Sequence, residues 1–133
     1  MSGRWLIKSE PDSYSWDDLV RDGETVWDGV RNAQAANFLR TMRIGDPVIF
    51  YHSGAGAAAV GLAEVVGEAF PDPKDDTGRF VAVRVKAARA LPQPVSLAAM
   101  KADSRLSAMV MLRQSRLSVS PVGDDEWAVI VER

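Results

Sequence analysis

The chain has 133 residues, 47% of them apolar and 26% charged, with no cysteine and a formal net charge of −2. That length suits one domain with a core that needs no disulfide, and the missing thiols exclude disulfide scaffolds, thiolate zinc sites and cysteine nucleophiles. No apolar run approaches the roughly 20 residues of a membrane span, and the opening MSGRWLIKSEP is too short and polar for a signal peptide, so a cytoplasmic protein is expected.

In chain order, RWLIK (4–8) reads as a first strand, broken by SEPD because proline cannot sit in a central strand. Ser15 is placed to cap a short helix over 16–21, closed by Gly23. Residues 25–26 suggest a brief extended piece. A second helix is predicted from 32 or 33 to 42, with Ala35, Phe38, Leu39 and Met42 on one face. Gly45 ends it and turns the chain into the strand PVIFYH. GAGAAAVG (54–61) reads as a tight turn feeding a strand over 58–70. PDPKDDTGR is a polar turn, and FVAVRVKAARAL (80–91) is the clearest strand. Ser96 caps a short helix over 96–101. MVMLRQ (109–114) suits a single helical turn, and RLSVSPV a strand stopped by Pro121. Asp124 is placed to cap a last helix over 125–131. Five strands with short helices, in no βαβ rhythm, predict an α+β domain around a strongly curved mixed sheet or small barrel.

The charge is uneven. Between Thr77 and Gly123 eight bases stand against one acid, Asp103, so that span carries +7 and the rest −9. A basic half fits a polyanion footprint, or simply a set of solvated faces. No Walker A or G-x-G-x-x-G sequence follows a strand, and a lone histidine without cysteines is a poor start for a metal site, so neither a cofactor nor a metal is expected.

Three segments carry possible chemistry. KSEP puts Lys8, Ser9, Glu10 and Pro11 at a strand end; Lys8 and Glu10 project together if the strand persists, as an acid–base pair or as an exposed ion pair. WDGVRN puts Trp27, Gly29, Val30, Arg31 and Asn32 before a helix. Asn32 is a natural N-cap, while Trp27 is either core or a face for a planar ligand, with Trp5 and Tyr51 as further walls. His52 and Ser53 follow Tyr51 with no nucleophile elbow, so hydrogen bonding is the expected role of His52. Arg113, Gln114 and Arg116 offer forked donors and an amide for a base edge or a phosphate, or form a solvated connection.

The segments WLIKSEP (5–11), WDGVRNAQAANFLRTMRIGDPVIFYHS (27–53), GLAEVVGEAFPDP (61–73) and RLSVSPVGDDEW (116–127), in this order and spacing, resemble the EVE domain family of the PUA-like superfamily. The resemblance spans almost the whole chain as one domain. It implies a PUA-like fold, a small strongly curved mixed β-barrel of five to six strands with peripheral helices. It also implies a non-catalytic nucleic-acid module that reads a modified base, such as modified cytosine in DNA, or an RNA base. By position, the implied base pocket comprises Lys8, Ser9, Glu10, Pro11, Trp27, Gly29, Val30, Arg31, Asn32, Tyr51, His52 and Ser53. Arg113, Gln114 and Arg116 would serve the nucleic-acid backbone or the pocket mouth. In this picture Trp27 stacks on a flipped base, Asn32 and the backbone near Ser9 bond its edge, and Arg31 holds phosphate or the pocket mouth. Any cutting or modification would fall to a separate nuclease or modification enzyme. The insertion that human-type members carry after FPDP is short here, as KDDTGR. The alternatives are a small ASCH-like amidohydrolase of modified nucleosides using Lys8 and Glu10, or a binder of a small metabolite or peptide.

Overall fold

The structure is a computed structural model and describes residues 3–132. Six strands form one sheet: β1 (Trp5–Ser9), β2 (Glu24–Trp27), β3 (Pro47–His52), β4 (Ala58–Pro71), β5 (Val81–Ser96) and β6 (Val119–Pro121). Their order is β2-β5-β4-β3-β1-β6. Only the β1–β3 pair is parallel; the other neighbours run antiparallel. Five short helices accompany them: α1 (Trp16–Asp22), α2 (Ala33–Thr41), α3 (Leu97–Ala102), α4 (Val110–Arg113) and α5 (Asp124–Val131).

The sheet is covered on both faces, which explains why WLI and VIFY are apolar without alternation. Trp5, Ile7, Val48 and Phe50 point to one side, packing with Trp16 and Leu19 of α1 and Leu39 of α2. Leu6, Ile49 and Tyr51 point to the other, against Met100, Met111, Trp127 and Ile130 of α3, α4 and α5. Trp5 is therefore core and not a wall for a ligand: it is 7% exposed, and its indole N–H donates to the buried carboxylate of Asp46 at 2.9 Å.

The α+β expectation and the curled mixed sheet hold, but the sheet is open and not a closed barrel. Repeated register shifts along the long β4–β5 pair bend it. Its edges, β2 and β6, have four and three residues and do not pair with each other. One of these shifts explains why β5 runs past the sequence-based end at 91 despite Pro92 and Pro94. Ala59 pairs with Val95 and Gly61 with Ala90, so both prolines lie in a bulge where no ladder N–H is required.

The helix ends follow local chemistry. Ser15 caps α1 in a reciprocal box with Asp18, and Gly23, at φ +80°, closes it. Ser96 caps α3. At α5 the cap is Gly123 and not Asp124, which is the first helical residue; Glu126 accepts from the Gly123 N–H at 2.8 Å. A 3-10 turn at Ser104–Leu106, absent from the sequence-based elements, is started by Asp103 accepting from the Arg105 N–H.

Candidate base pocket beside Trp27

A cleft of about 560 Å³ opens where β1 ends, between the turn that leads into α1 and the loop that leads into α2. This volume lies within the range of roughly 300–1,000 Å³ typical of small-ligand sites. Lys8, Ser9 and Glu10 form one wall, Trp27, Gly29, Val30 and Arg31 another, and Ser13 and Tyr14 a third. Lys74 and Ser118 complete the rim.

Each wall has a local cause. Ser9 donates its hydroxyl to the Tyr14 carbonyl at 2.6 Å, and the Ser13 and Tyr14 amides both bond to the Glu10 carbonyl. These bonds fold the SEPDSY turn back over the strand end. Tyr14 Oη donates to Asp22 at 2.8 Å, fixing the turn to α1. Trp27 ends the edge strand β2, in register with Val83. It is partly buried and meets Phe50 and Tyr14 edge to face, with centroids 5.6 and 6.2 Å apart. Neither ring stacks parallel upon it.

The loop WDGVRN is held from below by a residue to which the sequence reading gave no role. The Asp72 side chain is fully buried. It accepts from the Gly29 N–H at 2.8 Å, the Arg31 guanidinium at 2.9 Å and the Lys74 N–H at 2.7 Å. Burial alone would raise this carboxyl, but Arg31 and the two backbone donors outweigh it and hold the pKa below the ordinary value. Gly29 takes φ +79°, a conformation that side chains disfavour, and so turns its N–H onto Asp72. Arg31 also lies 5.3 Å over the Phe80 ring. Within the protein its guanidinium positions the loop; it is half exposed and still borders the cleft.

The residues expected at a single pocket are divided. Seven of them, Lys8, Ser9, Glu10, Trp27, Gly29, Val30 and Arg31, line the cleft together. Pro11 is exposed in the turn beyond it. Asn32 takes its capping role: its Oδ1 accepts from the Ala35 N–H at 2.9 Å, and it borders a separate depression with Gln34, Gln114 and Arg116. Arg113 donates to the Ser107 carbonyl, away from the cleft. Tyr51 is 3% exposed in the opposite core layer, and with Ser53 it borders another small cavity. The cleft adds Ser13, Tyr14, Thr25, Asp28 and Lys74, to which the sequence reading gave no site role. Tyr14, an aromatic just after the KSEP turn, carried the one signal available beforehand.

His52 lies behind the cleft. Its Nε2 accepts the Trp16 N–H at 3.0 Å, so the ring proton sits on Nδ1, and the imidazole anchors the start of α1. Burial pushes its pKa down, against a smaller opposing pull from Asp17. The unfolded chain, with an ordinary value of about 6.5, therefore protonates first. Stability should fall as the pH drops from that value towards the lower folded one. Because His52 is the only histidine, its imidazole NMR titration reads this directly. A midpoint below 6.5 is expected; one at or above 6.5 contradicts the buried-acceptor role.

Several bases of the basic half have local partners. Lys86 pairs in register with Glu24 and Glu64, Arg105 bonds Asp103, and Arg79 lies over Phe80. Among the described residues no helix is long and apolar enough to cross a membrane, and no cluster of metal-ligating side chains forms.

Comparison with known proteins agrees with this architecture. The EVE domain profile matches residues 3–133. Human thymocyte nuclear protein 1 is 32% identical over 98% of this chain and 73% of its own length. That alignment runs over 165 positions against 133 residues here, in keeping with insertions in the human protein. A Rhodopseudomonas palustris protein solved by NMR is 46% identical, with a TM-score of 0.92, over 98% of this chain and 91% of that one. A crystal structure of human THYN1 in complex with DNA containing 5-methylcytosine superposes with a TM-score of 0.91 at 32% identity, over 98% and 96%. The profile match, the relatives and the shared fold together place this chain in the EVE domain family.

Proposed function

We propose that this protein is a non-catalytic nucleic-acid module that reads a modified base by holding it in the cleft beside Trp27. The observation that carries the reading is the cleft itself. It has the volume of a small-ligand site, aromatic walls at Trp27 and Tyr14, and both cationic and anionic side chains around a single opening. The human relative solved with 5-methylcytosine DNA supports the same use of the fold. Lys8, Arg31 and Lys74 supply donors, and Glu10 and Asp28 supply acceptors, for the edge of an extruded base.

Trp27→Ala tests the stacking wall. Stacking on an aromatic contributes about 1–3 kcal/mol, so affinity for a modified oligonucleotide should drop roughly 5–150-fold. Trp27→Phe, which keeps a ring against Phe50 and Tyr14, should retain most of it. Unaltered binding in a folded Trp27→Ala protein would refute the wall.

The amidohydrolase alternative gains no support from the geometry. Lys8 Nζ donates to the Ser115 carbonyl at 2.7 Å and makes no ion pair with Glu10 among the described residues, since the strand ends at Ser9. Turnover of modified nucleosides that is lost in Lys8→Ala would replace the reader proposal.

A further inference from the structure

Lys8 lines a second cavity besides the cleft. This one measures about 190 Å³ and is bordered by Tyr51, Ser53, Leu97, Lys101 and Leu112 among others. Its lining includes two lysines and no carboxylate. The Lys8 ammonium carries three protons, and the Ser115 carbonyl takes one. The ammonium lies 5.9 Å from the centre of the Tyr51 ring, and among the described residues no carboxylate comes within 4.0 Å of it. Burial lowers its pKa and no neighbouring charge offsets that shift, as expected of a cation short of an anionic partner.

The surroundings are asymmetric in charge. The α1 side of the cleft carries Asp12, Asp17, Asp18 and Asp22 against the single base Arg21, which pairs with Asp18 and Asp22, whereas residues 104–123 contain no acid and include Arg105, Arg113 and Arg116. A polyanionic strand whose base enters the cleft is repelled on the first side and attracted on the second. The cavity is smaller than the roughly 300–1,000 Å³ of whole-ligand sites. A phosphate with part of its sugar would be of the size to enter it, with the sugar's carbon face towards Leu97 and Leu112.

We propose that this cavity seats the phosphate flanking the base held in the main cleft, with Lys8 and Lys101 as its cationic partners; the proposal rests on the base-reading function above. Lys8 would then couple the two subsites, tying recognition of the base to its place in a strand. A free modified nucleoside, lacking that phosphate, would gain nothing from Lys101.

The test uses the whole protein and a duplex of fixed sequence with one 5-methylcytosine. The two phosphates beside the modified base are replaced, one at a time, by neutral methylphosphonate. Lys101 is exposed at the end of α3, and circular dichroism checks that Lys101→Ala folds. Lys101→Ala should weaken binding and reduce the salt slope of log K by about one phosphate's worth, ~0.9. One of the two methylphosphonates should weaken the wild type and leave Lys101→Ala nearly unchanged. Wild-type affinity and salt slope in Lys101→Ala would overturn the seat, as would equal further loss in both proteins on either methylphosphonate. If Trp27→Ala then still loses affinity, the base reading stands and only the phosphate seat falls. No binding of any modified DNA or RNA oligonucleotide by the wild type would overturn both.

Discussion

Replacing Asp72 by alanine should cost about 2–3 kcal/mol of stability and weaken nucleic-acid binding at the same time, since two backbone donors and a guanidinium lose their shared acceptor. Arg31 is half exposed and can rehydrate, which keeps the loss below that of a fully buried broken pair. The Gly29 and Lys74 amides, through which this carboxylate ties the loop 28–31 to the β4–β5 connection, lose their protein acceptor as well. Asp72→Asn, which keeps one acceptor oxygen, should fall between wild type and alanine. Acid unfolding supplies a second readout. Asp72 is held below its ordinary value, and neighbouring Asp75 is pulled down to about 2 by the Thr77 hydroxyl and amide and the Phe80 amide. A depressed carboxylate stabilises the fold fully above its unfolded pKa near 4, and that stability is lost as the pH falls through the folded value. The acid limb below about pH 4 should therefore be shallower in Asp72→Ala. Wild-type melting and an unchanged acid limb in that variant would show that the loop is held by something else.

Gly61→Ala should be comparably damaging for a different reason. A Cβ on Gly61 would sit 2.6 Å from three carbons of the Trp16 ring, closer than atoms can pack. Trp16 is 7% exposed and meets Phe50 edge to face at 5.6 Å, so the ring cannot swing into solvent without opening the core. Overpacking of this kind costs typically about 1–3 kcal/mol. At this chain length that lowers the melting temperature by roughly 4–12 °C. Because Trp16 begins α1, the displacement should also reach the Tyr14 wall, so binding should weaken with stability. A Gly61→Ala protein that melts with the wild type would refute the close approach.

The features legible in the sequence are those with local causes. Ser15, Asn32 and Ser96 reveal themselves as caps because capping needs only a short polar side chain and an amide three residues on. The apolar periodicity of α2 and the walls contributed by KSEP and WDGVRN are local in the same way. The features that escaped depend on partners remote in sequence. Asp72 looked like one acid in a polar turn, and only the fold brings it beneath Gly29 and Arg31. Gly61 looked like a strand residue until Trp16 came to lie across it. Asn32 was given both a cap and a base contact; its carbonyl oxygen takes the cap on Ala35, and it borders a depression separate from the cleft. Tyr51 and His52 follow the cleft strand β1 in register, Lys8 with Tyr51 and Ser9 with His52. Strand alternation nevertheless turns Tyr51 into the opposite core layer, and His52 is spent on the Trp16 amide. The barrel expectation failed at the edges, where two very short strands leave the curled sheet open.

In the proposed function the cleft beside Trp27 reads a modified base. The most direct test of this is equilibrium binding of the wild-type protein, at fixed salt, to matched DNA and RNA oligonucleotides that differ only in one base, plain or modified. Tighter binding to one modified base than to its plain counterpart, lost in Trp27→Ala, is the predicted result. Equal affinity for plain and modified oligonucleotides, or none for any, would contradict it.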